Sequence, residues 1–85
     1  MTALHTDLLL LLRPARDYGE SEAKLLARLR QEGNRELAAP SLVIALRELA
    51  DRSWVSSFAS PLSGKRWRIT ALGLSVLEEE GLGQS

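Results

Sequence analysis

The chain has 85 residues, 45% of them hydrophobic, enough for one small domain with a single core. It has no cysteine and one histidine, His5, so disulfides, thiolate metal sites and the usual nucleophile–base pairs lack their parts. Eleven basic residues balance eleven acidic ones, so bulk charge supplies no attraction to a polyanion, and only a local patch can do so.

The first helix is expected over residues 2–13. Thr2 or Thr6 offers a capping oxygen, and Pro14 ends the run by disfavouring helical geometry in the residue before it. Leu4, Leu8, Leu11 and Leu12 share one face at helical spacing, while Leu9 and Leu10 point elsewhere. A helix apolar nearly all round is covered on more than one side. The second cover is either another copy of the chain or the C-terminal helix of the same chain. The run Leu8 to Leu12 is too short to span a bilayer, and no secretory leader pattern surrounds it. A cytoplasmic location with no membrane association is expected. His5 reads as an ordinary residue near the N-terminus.

Pro14 to Gly19 is a connector. Ser21 is placed to cap the second helix, with Glu22 near the positive end of its dipole. Ala23, Leu25, Leu26 and Leu29 are expected inward, and Lys24, Arg28 and Gln31 outward. Gly33 and Asn34 tolerate left-handed backbone and form the stop. Residues 35–38 are a partly extended link. The third helix begins near Pro40, which suits a first helical turn, and runs to Asp51. Its inward stripe is Leu42, Ala45, Leu46 and Leu49. Its other side offers Ser41, Ile44, Arg47, Glu48 and Asp51, with Val43 flanking.

Residues 54–59 alternate as a strand does, and so do residues 66–70. Pro61, Ser63 and Gly64 between them are turn residues. Trp67 and Ile69 fall on one face, Arg66 and Arg68 on the other, and both tryptophans read as packing residues. Residues 60–68 hold Lys65, Arg66 and Arg68 with no acid, the clearest basic cluster in the chain. Thr70 caps a last helix in which Leu72, Val76 and Leu77 face the core and Leu74 lies at the margin. Glu78 to Glu80 stand at its end, and Gly81 stops it. The expected architecture is α+β: three helices, a β-hairpin wing and a C-terminal helix, one winged-helix domain over residues 1–82 with a disordered tail at 83–85.

The segment from Leu46 to Val55, followed by Trp67-Arg68-Ile69-Thr70-Ala71-Leu72-Gly73, resembles the winged helix-turn-helix superfamily. It is similar to the MarR-like and PadR-like transcription regulators, whose hairpin ends in a hydrophobic-Thr-x-x-Gly start to the next helix. Ser53 stands where such families usually place glycine. The resemblance implies a recognition helix over residues 40–51 and a wing tip at Ser60 to Lys65.

Two functions are compatible with these residues. The first is double-stranded DNA binding by a transcription regulator, with helix 40–51 in the major groove and residues 60–68 on the backbone. Ser41 and Arg47 would then face base edges, and Lys65, Arg66 and Arg68 the phosphates. A homodimer through helix 2–13, the C-terminal helix or both would match paired half-sites. The second is a protein-interaction domain of the same fold, favoured if Glu48 and Asp51 break the positive surface and Val43 and Ile44 form an apolar patch. No enzyme activity, catalytic residue, metal site or cofactor is expected, since phosphate-loop and metal-ligand patterns are missing from the sequence.

Overall fold

The computed structural model describes residues 2–62 and 64–81. The expected tail at 83–85 and Ser63 of the wing tip lie outside them. Helix α1 spans Ala3–Leu12, a one-turn 3-10 helix Arg16–Tyr18, strand β1 Glu20–Ser21, and helix α2 Glu22–Gln31. Helix α3 spans Ala39–Asp51, strands β2 and β3 span Val55–Ser60 and Gly64–Ile69, and helix α4 spans Ala71–Glu79.

Each helix starts where a capping side chain stands or proline permits. Thr2 Oγ1 accepts the His5 N–H, and the Thr2 N–H donates back to His5 Nδ1, a capping box with histidine in the third position. Ser21 caps α2 through the Lys24 N–H, and Pro40 sits in the first turn of α3. Helices α2 and α3 both close by the same device. Asn34 N–H reaches the Leu29 carbonyl, and Trp54 N–H reaches the Leu49 carbonyl, across a residue in left-handed geometry. That residue is Gly33 at φ 114° after α2, but Ser53 at φ 63° after α3. The serine thus occupies a position whose backbone suits glycine.

The sheet has one strand more than the sequence predicts. Strand β3 is central, antiparallel to β2 on one side and to the two-residue β1 on the other. A strand so short has no period to read. The register sets Val55 against Ile69, Ser57 against Trp67 and Ala59 against Lys65, so these pairs share the face turned to the helices. Ser56, Phe58, Arg66 and Arg68 take the outer face.

The core is built from Leu8, Leu9 and Leu12 of α1, Leu25 and Leu29 of α2, and the full expected stripe of α3. Val55, Trp67, Ile69 and Leu77 complete it. Helix α1 packs against α2, α3, β3 and α4, so its wide apolar surface is covered largely from within its own chain. Two expectations fail. Ala23 is exposed on α2, and Leu72 is 51% exposed on α4. In α4 the inward position belongs to Gly73. A Cβ there would overlap the Trp54 carbonyl oxygen and crowd Ile69. Glycine lets the helix axis approach the hairpin root, and this rotates Leu72 outward. Thr70 secures the same junction, donating from Oγ1 to the Ser53 carbonyl (2.6 Å) and accepting from the Gly73 N–H (3.0 Å).

Two substitutions test this junction in opposite directions. Gly73→Ala is expected to lower stability by roughly 1–3 kcal/mol through overpacking, although alanine is the better helix former. Ser53→Gly is expected to raise it by about 1 kcal/mol by relieving a left-handed serine. Urea unfolding midpoints at constant slope measure both.

Candidate nucleic-acid interface

Helix α3 buries Leu42, Ala45, Leu46 and Leu49 and exposes Ser41, Ile44, Arg47, Glu48 and Asp51, with Val43 half-buried. Its charge is unevenly spread. The first turn holds no acid, and both carboxylates lie in the C-terminal half. Arg47 is exposed and makes no hydrogen bond or ion pair among the described residues.

Glu48 does have a partner. Its Oε1 lies 3.0 Å from His5 Nε2. The Thr2 N–H donates to His5 Nδ1 at 3.0 Å, so that nitrogen is an acceptor and, in the neutral ring, Nε2 carries the proton. That assignment follows from the bonding network. His5 is only 7% exposed. It is therefore a strut between the start of α1 and the middle of α3, not an incidental terminal residue. The Thr-x-x-His spacing is visible in the sequence, but nothing local connects position 5 to position 48.

The three wing cations occupy different environments. Lys65 is exposed, with Nζ 4.8 Å from the centre of the Trp67 ring. Arg68 is exposed on the outer face, its guanidinium 5.0 Å from the Phe58 ring centre and its Nε 3.4 Å from Ser56 Oγ. Arg66 is half-buried. It donates from Nε to the Tyr18 carbonyl (2.9 Å) and from Nη2 to the Gly19 carbonyl (2.8 Å). It thus ties the 3-10 turn and β1 to the centre of the sheet. Gly19 fits beneath at φ 66°, where a side chain would overlap the Trp67 carbonyl.

Trp67 is buried, and its indole N–H donates to Glu22 Oε2 at 2.9 Å. A buried indole needs such a partner, and the first turn of α2 provides it. Trp54 is half-buried under the Arg52 guanidinium, 5.1 Å from the ring centre. Both tryptophans pack as expected. The sequence reading missed the exposed Tyr18, 84% accessible beside the Arg66 anchor. Only its place in a proline- and glycine-bounded connector signalled exposure.

A groove of about 540 Å³ between α1 and α2 is lined by Asp7, Glu20, Glu32, Arg28 and the apolar Leu10 and Leu11. Three carboxylates against one guanidinium set it against anionic ligands. Among the described residues no group of three or more His, Cys, Asp or Glu side chains is placed to hold a metal ion. Nor is any described helix long and apolar enough to cross a membrane.

No protein-family model matches the chain, and no curated protein sequence does. Its fold is similar to a solved structure of the Helicobacter pylori ferric uptake regulator Fur, described as revealing three functional metal binding sites. The TM-score is 0.69 and the identity 19%, over 84% of this chain and 46% of that one. This chain therefore spans less than half the length of that protein. The sequence has no cysteine, and its one histidine is engaged on both ring nitrogens. The likeness is one of architecture: the chain is a winged helix.

The distinct roles of the wing cations can be separated by stability. Arg66→Ala leaves two carbonyls without their donor and should cost about 1 kcal/mol in urea unfolding. Lys65→Ala and Arg68→Ala should each change it by less than about 0.5 kcal/mol.

Proposed function

We propose that this domain binds double-stranded DNA, with α3 in the major groove and the hairpin against the phosphate backbone, in the manner of a transcription regulator. The observation that carries this reading is the exposed row of Ser41, Ile44 and Arg47 on α3, beside which Glu48 is the exposed acid within a turn of Ile44. Glu48, the nearest acid, is engaged by His5. Arginine offers paired donors to guanine, and serine can donate or accept at a base edge. Lys65 and Arg68 serve as phosphate contacts, and Arg66 adds its charge from its anchored position. Pairing of two copies through α1 or α4 belongs to the same reading, because two-fold symmetry suits paired half-sites. The exposed Leu72 gives α4 an apolar surface for it. The resemblance to MarR-like and PadR-like regulators supports a regulatory role and a cytoplasmic setting.

A second reading, a protein-interaction domain, has its own support. Ile44 stands exposed on α3, and Asp51 faces solvent at its end. Net charge is zero, which gives α3 no general pull towards phosphate.

Titration of a mixed-sequence duplex at several salt concentrations separates the two. Under the DNA reading the affinity falls steeply with salt. The double variant K65A/R68A then weakens binding and reduces the salt slope by about two ion equivalents. Arg47→Ala should cost about 1–3 kcal/mol on a preferred site and little on an arbitrary one. If fluorescence anisotropy shows no binding at low salt, the protein-interaction reading stands instead.

A further inference from the structure

We infer that Ile44 reads a thymine methyl group, so the preferred duplex carries a thymine facing the N-terminal half of α3. This rests on the DNA reading above and names the base feature that the same surface selects. Ile44 is 58% exposed. At about 100° per residue it stands opposite the stripe formed by Leu42, Ala45, Leu46 and Leu49. It is therefore on the outermost line of the helix, the line that enters a groove first. Its β-branched side chain is stiff in a helix and presents its methyl groups in one direction. Left in water, that surface contributes little to folding.

Its neighbours along the exposed side define what it would meet. Ser41 lies three residues before and Arg47 three after, each displaced by about 4.5 Å along the axis. That step is close to the roughly 3.4 Å spacing of base pairs, so the three side chains face neighbouring pairs. Among the base edges of the major groove the apolar group is the C5-methyl of thymine. Charge sets which half of α3 goes in. Glu48 and Asp51 lie one turn beyond Ile44 and Arg47, and their exposed carboxylates are repelled by phosphate. The N-terminal half carries no acid. Docking by that half puts Ile44 at the centre of the contact, between one residue that suits guanine and one that suits any base.

The test uses the full chain. A bound sequence is selected from a random duplex library, and each thymine in it is then replaced in turn by deoxyuracil, which removes the methyl and keeps the pairing. With the wild-type chain, at least one replacement should weaken binding roughly fourfold, the worth of one buried methyl group. The same replacement should be silent with Ile44→Ala and remain visible with Ile44→Val. The inference is overturned if every replacement is silent with wild type, or if the penalty survives in Ile44→Ala. It is also overturned if selection returns no preferred sequence although the duplex is bound, a result that leaves the phosphate contacts of the wing intact. Absence of any duplex binding overturns the DNA reading itself and this inference with it. Circular dichroism of both variants, expected to match wild type because Ile44 is outside the core, excludes misfolding as the cause.

Discussion

The closeness of α4 to the root of the hairpin governs how the functional elements are placed. Gly73 has no Cβ, so the helix settles against the Trp54 carbonyl and Ile69. Thr70 then bonds in two directions, capping α4 through the Gly73 N–H and holding the Ser53 carbonyl that ends α3. The Thr70 N–H also reaches the Trp54 carbonyl. Three elements, α3, the hairpin and α4, therefore meet at backbone atoms that the Thr70 hydroxyl and N–H bridge. A left-handed serine is tolerated there because the surrounding bonds over-determine its conformation.

A second anchor lies at the centre of the sheet. Trp67 fills the core, donates to Glu22 at the start of α2, and offers its ring to Lys65. Arg66, its neighbour in sequence, points the other way and holds the Tyr18 and Gly19 carbonyls. The alternation of β3 thus assigns adjacent residues to separate tasks. The inner face builds the domain. The outer face ties down β1 and carries Arg68, while Lys65 lies exposed at the tip of the inner face beside Trp67. A single run of three cations becomes a structural arginine between two exposed charges.

Electrostatics on α3 shows why net charge says little about such a domain. The chain is neutral as a whole. Locally, the N-terminal half of α3 is free of acids, and His5 engages the first carboxylate of the other half. At physiological ionic strength, charges more than about 8 Å apart are largely screened, so this arrangement matters more than the sum. The fold alone does not decide whether the face meets DNA or protein, because function resides in the site and not in the architecture.

Local chemistry made much of the architecture legible from residue order. The caps at Thr2, Ser21 and Thr70, the stops at Gly33 and Gly81, the buried stripe of α3 and the alternation of the hairpin all depend on near neighbours. So does the list of candidate contacts, Ser41, Arg47, Lys65, Arg66 and Arg68. Tertiary structure decided what depends on distant pairs. It gave β3 a third strand too short to show a period, paired His5 with Glu48 and Trp67 with Glu22, and engaged Arg66 with backbone carbonyls. It also turned Leu72 outward, because a pattern that counts apolar side chains gives no weight to a glycine. Periodicity reports which residues prefer to leave water, whereas close approach between backbones depends on the shape of both partners and appears only once they are in place.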